Sequence, residues 1–186
     1  MTMSLTAQDV LDFWFQGDAK VWRSDPWFRK SDTFDAAIEA RFALAVRAAE
    51  DGVLDGWAAT AEGALALVLD QFARNIHRGS YLAFAGDAHA RRIARTALAG
   101  SAPLSLTPVQ LVFLYLPFEH SEDMADQDLS VRLFESLPPA DWRDGEVDYA
   151  HRHRDVIRQF ARFPHRNAAL GRASTPAEEV WLAAGG

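Results

Sequence analysis

The chain has 186 residues, 49% of them apolar and 24% charged, with a formal net charge of −7 and a pI near 5.3. That length suits one domain, 1–186, with a core that needs no staples, and the composition is globular rather than disordered. The acidic balance excludes a non-specific nucleic-acid binder, and the absence of cysteine excludes a disulfide framework, a thiolate zinc site and a cysteine nucleophile.

The first residues lack a basic region followed by an apolar stretch, so they do not read as a signal peptide. Thr6 caps a first helix with Val10, Leu11, Trp14 and Phe15 on one face. Residues 22–28 form an aromatic connection broken by Pro26. Residues 32–50 repeat apolar side chains at Phe34, Ile38, Phe42, Leu44 and Val46, a helical spacing, until Gly52 and Gly56. Thr60 opens a helix that reaches about residue 78 and ends at Gly79; 87–99 follows and ends at Gly100. Thr107-Pro108-Val109-Gln110 is a capping box with proline at the first helical position, and Thr175-Pro176-Ala177-Glu178 repeats it. Between them lie a helix at 126–137, a Pro138-Pro139 turn and a long helix at 146–163 ended by Pro164. The longest apolar runs, 64–69 and 111–118, fall short of the roughly 18–20 residues of a membrane span. No strand-like alternation, Gly/Ser linker or 30–45-residue repeat stands out. The pattern predicts an all-α, single-domain helical array of about seven to nine helices, placed in the cytoplasm, with no membrane partner.

Three segments interrupt apolar patterns with dense polar groups. In the first, Asp70 and Arg74 are four apart and can pair, while Gln71 and Asn75 flank the apolar stripe of Leu65, Leu69, Phe72 and Ile76. In the second, Pro117 interrupts an apolar helix and predicts a kink or break before Glu119, His120, Glu122 and Asp123. In the third, His153 falls on the stripe of Tyr149, Val156, Ile157, Phe160 and Phe163, and Arg162, His165, Arg166 and Asn167 follow. A lone histidine on such a stripe reads as a hydrogen-bonded core residue. Charge is sorted as well: 117–150 carries ten acids against two arginines, net −8, and 151–172 carries six arginines against one acid, net +5. Adjacent segments of opposite sign predict mutual pairing. Seventeen of the nineteen basic residues are arginine, whose planar fork suits partly buried carboxylate pairing and equally a carboxylate or phosphate ligand.

Long, mutually ordered motifs carry a resemblance across essentially the whole chain. They are Leu11-Asp12-Phe13-Trp14-Phe15, Leu69-Asp70-Gln71-Phe72-Ala73-Arg74-Asn75-Ile76-His77-Arg78-Gly79, Pro117-Phe118-Glu119-His120-Ser121-Glu122-Asp123, Arg162-Phe163-Pro164-His165-Arg166-Asn167 and Gly171-Arg172-Ala173-Ser174-Thr175-Pro176-Ala177-Glu178-Glu179. Together they resemble the bacterial domain-of-unknown-function family 924. The resemblance implies an all-helical protein related in architecture to tetratricopeptide-like superhelices, and no established activity. Two positions depart from the family pattern: His77 stands where relatives are often aromatic, and Glu119 where they are often apolar. The second departure moves the expected acidic contribution from Glu119 to Glu122 and Asp123.

The candidate ligand-binding residues are therefore Asp70, Gln71, Arg74, Asn75, His120, Glu122, Asp123, Arg162, His165, Arg166 and Asn167. Their convergence would make a polar pocket for a small anionic molecule, with Trp14 and Trp27 as apolar walls. The arginines would orient the anion, and His120 or His165 could move protons near neutral pH. Simple binding and acid–base catalysis are both compatible with these residues. No HExxH is present and no second histidine stands at ligand spacing from His120, so no metal and no cofactor are expected. The competing function is a tetratricopeptide-like interaction module whose arginines clamp an acidic peptide. The bland alternative is a set of internal polar networks that lock helix packing.

Overall fold

The computed structural model describes residues 5–59, 62–100 and 105–186. Every regular element among them is helical. In chain order these are α1 (Ala7–Phe15), α2 (Ser24–Phe28), α3 (Asp32–Glu50), a 3-10 turn (Asp55–Ala59), α4 (Glu62–Leu67), a π-helical segment (Val68–Phe72), α5 (Ala73–Ile76) and a 3-10 turn (Tyr81–Phe84). Then come α6 (Asp87–Ala99), α7 (Pro108–Glu119), α8 (Met124–Glu135), α9 (Arg143–Phe160), a 3-10 turn (Pro164–Arg166) and α10 (Pro176–Ala183). Among the described residues no helix is long and apolar enough to cross a membrane.

The predicted caps at Thr6, Thr107 and Thr175 form. Thr6 and Thr175 each make a reciprocal capping box, with Asp9 and Glu178 at the third helical position. Thr60, expected to open the next helix, lies outside the described residues. The aromatic connection at 22–28 contains the short helix α2. Helix α8 starts earlier than its apolar pattern suggests, because Asp123 accepts hydrogen bonds from the backbone N–H groups of Ala125 and Asp126 and so caps it. Helix α9 ends at Phe160 rather than Phe163. Ala161 turns left-handed, with φ 57°, and Phe163 is extended, as the residue before a proline prefers. Pro117 does not break α7, which runs two residues past it. So near the end of a helix, the missing N–H removes only one of the last backbone bonds.

The chain forms two compact units, the first of residues 1–78 and 82–117 and the second of residues 79–81 and 118–186. The first unit is built around rings. Trp14, Phe42, Phe72 and Phe113 are fully buried, and Trp14 meets Trp27, Phe72 and Phe113 with ring centroids 6.3, 5.4 and 5.4 Å apart. The indole of Trp27 donates to the carbonyl of Trp14 at 2.9 Å. Trp14 and Trp27 are thus core of this unit and not the walls of a pocket. Burying each such ring contributes about 1.5–3 kcal/mol, with roughly 0.5–1.5 more for each well-oriented pair. Helix α3 packs on the π-helical segment and α5, and α4 packs on α1 and α6. In the second unit α8 packs chiefly against α9, and α10 meets the Pro164–Arg166 turn.

Candidate functional site

The second unit holds a polar cluster that begins where α7 ends. Phe118 closes the apolar part of α7 and is fully buried, and Glu119 follows with only 4% of its surface exposed. The chain then turns a corner through His120 and Ser121. Side chains hold three successive carbonyl groups of this corner. Gln127 Nε2 donates to the carbonyls of Glu119 at 2.7 Å and Ser121 at 2.6 Å, and Arg166 Nη1 donates to that of His120 at 2.9 Å. The Ser121 hydroxyl donates to Asp126 Oδ2 at 2.8 Å and accepts from the N–H of Asp123 at 3.2 Å.

Opposite this corner, α9 presents His153. Its Nδ1 is 2.9 Å from the carbonyl of Tyr149, one turn back, and 3.3 Å from Glu119 Oε1. Donation from Nδ1 to a carbonyl assigns the proton of the neutral ring to that nitrogen, which makes Nε2 the basic one. The rings of His120 and His153 are 6.3 Å apart. Phe163, 1% exposed, gathers the rest: His153 edge-on at 5.5 Å, His165 at 5.4 Å, and the Arg166 guanidinium 4.4 Å from its ring centroid. That last contact is a cation–π geometry, which a planar guanidinium suits. His165 is exposed, with its ring tilted against that of Phe163. Desolvation first, then the charges of Arg166 and His120, push its pKa down to about 4, so it is neutral at pH 7.

The remaining arginines and acids form a latch beside this cluster. Arg172 makes a two-pronged bond to Glu122, at 2.7 and 2.9 Å, and also donates to the carbonyl of Phe163 and to Asn167. Glu122 accepts in addition from the N–H of Phe163 at 2.8 Å. Burial raises the pKa of Glu122, but Arg172 and the Phe163 N–H outweigh it and hold the carboxyl below its ordinary range. Arg162 forks onto Glu178 at 2.6 and 2.7 Å, and Asn167 donates to Ser174 at 3.0 Å. The Arg162 fork, helped by the N–H of Thr175, holds Glu178 at about 2. The acidic and arginine-rich segments therefore pair: Glu122 with Arg172, Glu135 with His151 and Glu119 with His153.

The first unit places its four candidates in two networks. Arg74 Nη1 lies 2.7 Å from Asp70 and the guanidinium forks onto Asp87 at 2.9 and 3.0 Å, while Gln71 donates to Asp70 at 2.6 Å. Asn75 donates instead to Asp35 at 2.7 Å, which Arg78 also grips. The π-helical segment carries Asp70 and Gln71, and its turn is wider than that of an α-helix. Gln71 and Asn75, four apart, consequently serve different partners. Two clefts on this unit have other linings. One of about 610 Å³ is bounded by Asp25, Arg29, Lys30 and Phe34, and one of about 500 Å³ by Gln8, Leu11, Trp57 and Gln110.

Of the candidates in the second unit, His165 and Arg166 lie against Phe163, and the His120 ring meets that of His153, which also lies against Phe163. Glu122, Arg162 and Asn167 belong to the latch, and Asp123 caps α8. The cluster also contains Glu119 and His153, which sequence reasoning set aside. The position of His153 on the apolar stripe of α9 was the available signal. For Glu119 it was a carboxylate directly after a run too apolar to be exposed. Among the described residues no group of three or more His, Asp or Glu side chains has an arrangement that holds a metal ion.

The described residues thus define an all-helical protein whose second unit gathers His153, His165 and Arg166 against the buried ring of Phe163. The chain belongs to the DUF924 family of bacterial proteins of unknown function, whose model matches residues 10–186. It is similar to a solved protein of unknown function, ATU0120 from Agrobacterium tumefaciens, with 38% identity over 95% of this chain and 96% of that one and a TM-score of 0.84. A comparison with curated proteins found no match.

Proposed function

We propose that the second unit binds a small anionic molecule at the Phe163 cluster and that Glu119, His153 and His120 move a proton on it. The observation that carries this reading is the carboxylate of Glu119, 4% exposed and 3.3 Å from His153 Nδ1, within a cluster that also holds a guanidinium. A buried carboxylate beside an imidazole orients the ring and favours its protonated form, which is how such pairs serve general acid–base chemistry. Arg166, on the face of Phe163, supplies the positive charge for an anion. His165, neutral at pH 7, offers a hydrogen bond there without adding charge. Glu122 and Glu178 hold Arg172 and Arg162, so these two arginines build the walls of the cluster.

Thermal unfolding with acetate, lactate and inorganic phosphate, and separately with an acidic peptide, tests the proposal. Saturation to about a hundred times Kd contributes about 2.7 kcal/mol by mass action. For a chain of this size that raises Tm by roughly 5–10 °C. Arg166→Ala and Glu119→Gln, if folded, should lose most of that increment. No increment with any small anion in the wild-type protein would defeat the proposal. An increment with the peptide alone would favour the interaction module instead.

A further inference from the structure

Gln127 is fully buried, lies on α8 rather than in the cluster, and spends both amide hydrogens on backbone carbonyls of the corner, those of Glu119 and Ser121. Those carbonyls flank His120, whose own carbonyl is held by Arg166. A corner just past a helix end has carbonyl groups with no intrahelical donor, and buried carbonyls require one. A backbone amide could satisfy one carbonyl. A primary amide satisfies two at once and so sets the path of the chain between them. The side chains on that path are Glu119, which reaches His153, and His120, whose ring meets that of His153.

We infer that Gln127 is a positioning residue: by bridging the Glu119 and Ser121 carbonyls from α8, it aims Glu119 and His120 at His153. The inference rests on the proton-moving role proposed for those groups, but its geometry can be tested without any ligand. The hydrogen bonds of Gln127 go to the backbone of the corner. Its amide oxygen, buried and without a hydrogen-bond partner, indicates that the side chain is held for its two donors and not for general polarity. The charged and titratable groups gathered with His153 include Glu119 and His120 from the corner, and His165 and Arg166 through Phe163. A change in the path of the corner therefore changes the field at His153 chiefly through Glu119 and His120.

The experiment is an NMR titration of the histidine rings in the wild type and in Gln127→Met, with Ser130→Ala as the control. Ser130 is equally buried one turn further along α8, and its hydroxyl makes no hydrogen bond. Gln127→Met should move the titration midpoint of His153 or His120 by about half a pH unit, a three-fold change in proton affinity. Ser130→Ala should leave both midpoints in place. Should Gln127→Met fail to fold, the wild-type titration still decides. The side-chain amide signals of Gln127 should shift with the same midpoint as the His153 ring. Unchanged midpoints in a folded Gln127→Met, or amide signals that stay still through the titration, would overturn the inference. If anions still bind Gln127→Met with wild-type affinity and its midpoints are unmoved, the positioning role falls while the binding site stands. If no anion binds the wild type yet the midpoints move, the positioning geometry stands and the proposed function falls.

Discussion

Glu146 lies in the first turn of α9, partly buried, and burial raises its pKa to about 7 from an ordinary 4.5. The difference, at 1.36 kcal/mol per pH unit, is about 3 kcal/mol if the group were wholly shielded. Part of the side chain meets water, and screening there reduces the figure to about 1–2 kcal/mol. The sign follows from proton binding. Below pH 4.5 both folded and unfolded chains hold the proton and Glu146 costs nothing. Between 4.5 and 7 the unfolded chain has released it while the folded chain keeps it, so stability falls as pH rises. Above 7 the folded protein carries the buried charge and the full penalty applies. Glu146→Gln removes that penalty. Urea unfolding should show the variant about 1–2 kcal/mol more stable than the wild type at pH 8, and nearly equal at pH 4.5. Other carboxylates titrate in the same window, but identically in both proteins, so the difference between them isolates Glu146. The same stabilisation at both pH values, or none at pH 8, would refute the reasoning.

Arg172→Ala deletes a fork to Glu122 and donors to Phe163 and Asn167 at once, and should cost about 1–3 kcal/mol in chemical unfolding. Arg158→Ala removes a pair with Asp155 in which both side chains are more than half exposed, and should cost less than about 1 kcal/mol; equal losses for the two would contradict the latch. Gly86 precedes α6 with an ordinary φ of −80°, yet a Cβ there would stand 2.6 Å from the carbonyl oxygen of Leu69. Gly86→Ala must push α6 away from the π-helical segment, and calorimetry should register a loss of about 1–3 kcal/mol; wild-type stability would mean that this contact yields freely.

Much of the fold was legible because it is written in local chemistry. A threonine hydroxyl and a glutamate three residues on announce a helix start at Thr175 whatever surrounds it. The spacing of Ile38 and Phe42 announces α3 for the same reason. The breaks at residues 52, 79 and 100 need only a glycine. The π-helical segment was not legible, since Leu69, Phe72 and Ile76 keep an apolar stripe that an α-helix would also show. The end of α9 is not legible either, because the stripe runs on through Phe163 whereas the backbone turns at Ala161. The expected pairing between the acidic and arginine-rich segments did appear, but which acid meets which arginine depended on where the chain turns.

The sequence alone determined that this protein is helical, where most of its helices begin, and that polar groups concentrate in three segments. Those properties follow from neighbours along the chain, within the reach of one or two helical turns. Only the tertiary structure decided what each polar group does. Glu122 and Asp123 look alike from the sequence, yet one holds Arg172 and the other caps a helix. Glu119 and His153 are 34 positions apart and become a pair because α9 returns to the end of α7. A carboxylate's role depends on which cation, amide or imidazole reaches it first, and that is a matter of distance in space.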